Sequence, residues 1–287
     1  MIWGMILKLK DKVVLITDGA SPTGLAIAER FKAEGAILCL NVSRDILVSA
    51  ASLSEGIDKA LAVRRAAAIA TLLASSSTEA LDSGTGILVH ANPVVKEEVD
   101  SGVAAVLDKY GRIDVVVHNN NEVIRATLED CSDEAFDMTM EINAKSAFLF
   151  AQAAAAPMKQ AAKGNFVFIS SIHDEKPSGA AFAYSLAKGA LKMLVKEMVL
   201  DLGPHNIRAN IVNMGPMEGH EELFSGSVSP LYEHTKERIA NMRLCTLEEV
   251  ANAALFFASD DCPSATGASL SLDGGFLLSY FSGRKRK

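Results

Sequence analysis

Short apolar runs rich in β-branched residues recur along the chain, separated by stretches of helix length with apolar residues every three and four positions. The runs are VVLIT (13–17), AILCLNV (36–42), GILVHA (86–91), DVVVHN (114–119), NFVFIS (165–170), NIRANIV (206–212) and ASLSLD (268–273). Each has the length and bounding of a strand, and their near-continuous apolar character suits burial on both faces. Strands alternating with helices predict an α/β fold, a doubly wound parallel sheet of Rossmann-like type. No low-complexity linker interrupts the pattern, so 1–287 reads as one domain. One span breaks the rhythm. Residues 45–85 are rich in Ala and Ser and hold IDKALAVRRAAAIATLL, a helical pattern, then SSSTEALDSGTG, a loop pattern. A crossover needs only about a dozen residues. The excess reads as an insertion: a surface elaboration, a flap over one end of the cleft, or an oligomer contact.

Composition narrows the field. The 287 residues are 49% hydrophobic and 22% charged, enough for a sizeable core. A net charge of −7 gives nucleic-acid binding no electrostatic support. The basic tail Arg284–Lys287 is a frayed terminus or a docking tag. Cys39, Cys131, Cys245 and Cys262 are far apart, which argues against a zinc or redox motif and for a reducing compartment. The six histidines show no ligand spacing, so no catalytic metal is expected. MIWGMIL is too short for a signal segment, and no run approaches the ~20 apolar residues of a membrane span. A cytoplasmic protein with no membrane partner is expected.

Three stretches carry chemistry. TDGASPTGLA (17–26) joins the first strand to a helix, the arrangement that cradles a dinucleotide pyrophosphate. In YSLAKGALK, Tyr184 and Lys188 share one helix face. A free phenol has a pKa of about 10, and a neighbouring ammonium pulls it down toward acid–base use. NFVFISS places Ser170 and Ser171 at a strand's carboxyl end, where ligands bind in open α/β sheets or where a serine caps a turn. Asn143, in EINAKSAFLF, sits inside a helical pattern that an Asn weakens.

Taken together the chain resembles the short-chain dehydrogenase/reductase family from about Lys10 to Phe276. Asn143, Ser171, Tyr184 and Lys188 match the catalytic tetrad in order and spacing. GRID (111–114), NFVFISS, YSLAK, NIRANIVNMGP (206–216) and SLDGG (271–275) match further signatures. The resemblance implies that Tyr184 exchanges a proton with the substrate oxygen and that Ser171 hydrogen-bonds that oxygen. It implies that Lys188 tunes Tyr184 and holds the nicotinamide ribose, and that Asn143 supports a proton-relay water. The reaction implied is NADPH-dependent reduction of a ketone or 3-oxoacyl-type carbonyl to a secondary alcohol. The substrate would be a small carbonyl or alcohol. Helices around Asn143 and Tyr184 build dimers in similar proteins, so a homotetramer or homodimer is expected.

The chain departs from the family at the cofactor end. In the family's T-G-x-x-x-G-x-G, Thr17 is kept, Asp18 and Pro22 replace two glycines, and Gly24 remains, with Gly19 beside the first position. A carboxylate near a pyrophosphate is unfavourable, and Pro22 removes an N–H. Ser21 and Thr23 supply hydroxyls, so weakened binding is expected. The family's N-N-A-G becomes His118-Asn119-Asn120-Asn121. Asn121 is expected to keep the glycine's left-handed backbone, while Asn120 adds bulk beside the ribose. Asn92 stands near the adenine position and can accept from an amino group. The second strand ends LNVSR, with Val42 where NAD-preferring members are acidic. Ser43 and Arg44 suit a 2′-phosphate, as in the pteridine reductases, or Arg44 merely opens a solvated helix. NADP is therefore expected, with NAD the alternative. The cofactor set is Thr17, Gly19, Ser21, Thr23, Gly24, Ser43, Arg44, Asn92, Asn119, Lys188 and Gly215.

Residues 217–242 fall where a mobile lid is expected, with Gly219, Gly226 and Pro230 as hinges. Phe224, Leu231 and Tyr232 would cover an apolar substrate or pack as the core of short helices. His173 and Lys176 face the pocket or a surface turn, and His118 is packed rather than catalytic. The altered loop also motivates a second reading, a non-catalytic binding or regulatory protein on the same fold.

Overall fold

The computed structural model describes residues 7–43, 86–218 and 238–279. Seven parallel strands form one sheet: β1 (Val13–Ile16), β2 (Ile37–Asn41), β3 (Gly86–Val89), β4 (Val115–His118), β5 (Gly164–Ser171), β6 (Ile207–Met214) and β7 (Ser269–Leu272). The order across it is β3-β2-β1-β4-β5-β6-β7, so each of the seven apolar runs forms a strand. Among the described residues six helices flank the sheet: α1 (Pro22–Ala33), α2 (Lys96–Tyr110), α3 (Asp133–Met140), α4 (Ser146–Ala161), α5 (Phe182–Leu202) and α6 (Leu247–Ala258). This is the expected doubly wound α/β architecture.

Alternation along the strands sorts the core onto two faces. Leu15, Val116, Phe166 and Phe168 face one way and pack with Val99 and Val103 of α2, Phe150 of α4 and Leu191 of α5. Val14, Ile16, Val117, Val167 and Ile169 face the other way and pack with Ile27 and Phe31 of α1 and Val250 and Ala254 of α6. Helix starts are written in the sequence. Ser21 caps α1 and Ser132 caps α3. Thr246 and Glu249 form a reciprocal capping box at α6.

The GRID signature has a structural meaning here. Gly111 ends α2 at φ 70°, in the left-handed region. Asp114 is buried, pairs with Arg112 and accepts from Val13 N at 2.8 Å, tying β4 to β1.

Strand order reverses between β1 and β4, which opens a crevice at their carboxyl ends. Thr17, Asn119 and Ser171 all stand at that edge of the sheet. Arg44, the 45–85 insertion and lid residues Gly219, Phe224, Gly226, Pro230, Leu231 and Tyr232 lie outside the described residues. Among the described residues no helix is long and apolar enough to cross a membrane. None of their His, Cys, Asp and Glu groups forms a cluster suited to a metal.

Candidate active site

Ser171 is the last residue of β5. Its Oγ accepts from His173 N at 3.3 Å and so caps the 3₁₀ turn Ile172–Asp174. The chain returns to the sheet edge through α5, whose first two turns carry Tyr184 and Lys188. Both are buried, at 3% and 0% exposure. A fully buried lysine is rare unless it is paired. Burial lowers the Lys188 pKa to about 7, against the opposing pull of Asp174.

Lys188 Nζ lies 5.1 Å from the centroid of the Tyr184 ring and donates to Asn120 O at 3.4 Å. Burial pushes the Tyr184 phenol above its ordinary value; hydrogen bonds to Ser171 and Asn121 oppose that shift. Spacing on the helix alone predicted a depressed phenol. The structure corrects this, because loss of water around the phenol outweighs those hydrogen bonds.

Asn143 explains its own placement. A π-helical turn, Glu141–Lys145, separates α3 from α4 and contains it. Its Nδ2 donates to Glu122 O at 2.8 Å and to Thr139 O at 2.9 Å. Its Oδ1 is buried without a partner among the described residues. The mid-helix Asn thus holds the chain that follows β4.

That chain draws the site together. Asn120 O receives Lys188, and Glu122 O receives Asn143. Between them, Asn121 Oδ1 accepts from Tyr184 Oη at 2.6 Å. Two residues before Asn121, Asn119 N donates to Thr17 Oγ1 at 2.9 Å. Asn119 Nδ2 donates to Ser21 Oγ at 2.8 Å and to Asp18 O at 3.3 Å. Four consecutive residues therefore link the glycine-type loop to Lys188, Tyr184 and Asn143.

The loop keeps its fold despite its substitutions. Asp18 itself adopts φ 46°, the left-handed conformation that short polar side chains tolerate. Asn121 does not enter that region, which corrects the expectation placed on it. Gly24 is required: a Cβ there would come within 2.4 Å of Asp18 O. At Gly19 a Cβ would meet Leu40 Cβ at 2.9 Å, and Gly19 N is bonded to Asn41 O.

Several donors expected for a cofactor serve the loop itself. Ser21 Oγ donates to Asp18 O at 2.8 Å and accepts from Gly24 N at 3.1 Å, while Pro22 has no N–H. Asn92 Oδ1 accepts from Val94 N at 3.2 Å, within its own turn. At Gly215 a Cβ would lie 2.6 Å from Asp273 Cα, so its bareness lets the loop after β6 pack against the end of β7. Thr23 stands in the first turn of α1, and Ser43, half-buried, follows β2. The nicotinamide end fits a dinucleotide through Tyr184, Lys188 and the buried oxygens of Asn119, Asn120 and Asn143, which have no partner among the described residues. The pyrophosphate end fits with fewer donors, chiefly the first turn of α1 around Thr23.

The residues around the site sort clearly. His118 is buried and its Nε2 lies 2.8 Å from Ser146 Oγ. Burial, then Lys188, lowers its pKa to about 3, so it is neutral and packed, as expected. His173 meets Tyr184 edge-on, with ring centroids 5.2 Å apart, and its Nδ1 is 3.1 Å from Ser185 Oγ. Lys176 sits over the Phe276 ring at 4.4 Å, pinning the segment after β7. Sequence reading missed the buried Asp174 carboxylate, held by Lys192 at 3.2 Å and Asn213 at 3.2 Å. Nothing in the spacing pairs those three residues. It also missed Asn121 as a partner of Tyr184, 63 positions away.

Comparison with known proteins bears on the family and the fold. Residues 49–277 match the family model described as Enoyl-(Acyl carrier protein) reductase. The chain is 29% identical to a cyclopentanol dehydrogenase of Comamonas sp. (strain NCIMB 9872), over 94% of this chain and 98% of that one. It is 31% identical to the cis-2,3-dihydrobiphenyl-2,3-diol dehydrogenase of Paraburkholderia xenovorans, over 96% of this chain and 95% of that one. Among solved structures, a short-chain dehydrogenase/reductase from Serratia marcescens BCRC 10948 superposes with a TM-score of 0.74 at 27% identity, covering 94% of this chain and 99% of that one. The chain belongs to the short-chain dehydrogenase/reductase family and is an oxidoreductase acting on alcohols or carbonyls.

Proposed function

We propose that the protein interconverts a ketone and a secondary alcohol, working mainly as a reductase with NADP. The reading rests chiefly on one observation: Asn143, Tyr184 and Lys188 are each bonded to one of three consecutive residues, Asn120–Glu122, with Ser171 close enough to the same phenol to lower its pKa. The nicotinamide supplies or accepts the hydride at carbon when bound. In reduction, Tyr184 gives its proton to the substrate oxygen as negative charge develops there, and Ser171 holds that oxygen by a hydrogen bond. Lys188, with a pKa near neutrality, moves a proton to Tyr184 and holds the ribose. Asn143 keeps the chain after β4 in place and supports a relay water through the same turn.

Thr17, Gly19, Ser21, Thr23, Gly24 and Asn119 form or support the loop for the pyrophosphate, with Asn92, Ser43 and Arg44 toward the adenosine and Gly215 behind β6. NADP is preferred because the strand-end position of Val42 lacks an acid to bind a ribose diol; NAD remains the alternative. Cyclic ketones are the first substrates to try, given the similarity to the cyclopentanol dehydrogenase, and 3-oxoacyl carbonyls the next.

The whole chain is read as one domain, acting in the cytoplasm, with 217–242 as lid. Leu186, Met193 and Leu200 form a stripe of seven-residue spacing along α5, and all three are exposed, as is Phe148 of α4. That stripe supports a homodimer or homotetramer built through these helices. A second reading, a binding protein without turnover, is favoured only by Asp18, Pro22 and the self-satisfied loop. Turnover with a cyclic ketone decides between them. Tyr184→Phe should cut it by at least roughly 10²-fold while the fold is kept; unchanged turnover would remove Tyr184 from its role.

A further inference from the structure

Asn121 was expected to serve the site through its backbone alone, yet its carboxamide holds the hydroxyl on which the proposed chemistry turns. A phenol has one proton to donate, and Tyr184 Oη donates it to Asn121 Oδ1 at 2.6 Å. The proposed reduction needs that proton aimed at a substrate's carbonyl oxygen. Asn121 Oδ1 is itself a carbonyl oxygen, and Ser171 stands close enough to the same phenol to lower its pKa. The flanking contacts, Asn120 O with Lys188 and Glu122 O with Asn143, use main-chain carbonyls that any residue would supply. Only at Asn121 does a side chain make the contact. Asn121 is half-buried, in irregular chain between β4 and the isolated bridge Ala126–Ala181. Its side chain can swing away without disrupting a helix or strand.

We propose that the Asn121 carboxamide stands in for the substrate's carbonyl oxygen in the resting site and must leave Tyr184 before a ketone can take its place. The inference rests on the reading of Tyr184 as the acid of a carbonyl reductase. Asn121 is then a specificity-determining residue. A ketone must displace an amide oxygen, a good acceptor, so a compact ketone with few other contacts binds weakly. Ketones with an apolar ring or chain to bury make good the loss elsewhere.

The test uses the full chain, NADPH or NADH, and cyclopentanone as probe. Asn121→Ala should lower the KM for cyclopentanone roughly three- to ten-fold, the equivalent of one ordinary hydrogen bond, with kcat not reduced. Asn121→Asp, a stronger acceptor, should raise KM. A second readout needs no turnover. Loss of the acceptor shifts the near-ultraviolet absorbance of the buried phenol in Asn121→Ala, and the shift is absent when both chains also carry Tyr184→Phe. An unchanged spectrum overturns the contact. An unchanged or raised KM with a lower kcat overturns the displacement, because the amide would then be supporting turnover. No turnover in parent or Asn121→Ala, with the spectral shift present, removes the reductase reading and the displacement with it.

Discussion

At the scale of single residues, the site is dominated by burial. Lys188 has no exposed surface, and its ammonium is destabilised until its pKa stands near 7. In the unfolded chain the same amine titrates near its ordinary value of 10.5. Above pH 7 the unfolded chain therefore holds a proton that the folded chain has released, so this group makes stability rise with pH. The effect is clearest up to about pH 9, the ordinary value of the thiols, since buried Cys39 and Cys245 act in the opposite sense beyond it. Lys188→Met removes the cost of burying the amine. It should be more stable than the parent at pH 7, with the gap narrowing toward pH 9, as read by urea unfolding at the two values. A gap that widened with pH would contradict the assignment.

The residue types at the site were legible from their spacing, because Tyr184 and Lys188 share a helix face and Ser171 ends a strand. What the residues touch was not. The contacts of Tyr184 and Asn143 depend on Asn121 and Glu122, which the irregular chain after β4 carries beside them. Asp18 shows the same limit. Its identity suggested a damaged turn, but its φ of 46° shows a short polar residue adopting the backbone shape of a glycine.

At the scale of elements, signals confined to a few consecutive residues were readable. The strands follow from apolar runs; the helix caps Ser21, Ser132 and Thr246 are findings of the structure. The capping box at α6 joins Thr246 Oγ1 to Glu249 N at 3.2 Å and Thr246 N to Glu249 Oε2 at 2.9 Å. Thr246→Ala should lower stability by about 1 kcal/mol in chemical denaturation; an unchanged midpoint would show that α6 is held by packing alone. The π turn at Glu141–Lys145 was not readable. Its sequence has helical periodicity, and the extra residue in the turn is fixed by Asn143 reaching Glu122 and Thr139.

At the scale of the molecule, the parallel sheet and its two helical layers follow from the alternation of strands and helices, because parallel strands require crossovers and crossovers cover both faces, whereas the strand order is a finding of the structure. The outer surface is less determined by pattern. Met193 and Leu200 are 55% and 74% exposed on a helix whose other face lines the core. A subunit partner would cover them. Met193→Glu should shift the protein to a smaller species in light scattering coupled to size exclusion, with secondary structure kept. An unaltered mass would place the subunit contact elsewhere.

The central claim is that a loop carrying Asp18 and Pro22 still delivers a nicotinamide dinucleotide to Tyr184. Calorimetric titration of the purified protein with NADPH and with NADH tests it most directly. Binding of NADPH in the micromolar range, tighter than NADH, is the expected result. Heat-silent titrations with both would leave Tyr184 without a hydride donor and contradict the assignment of the site as a working reductase.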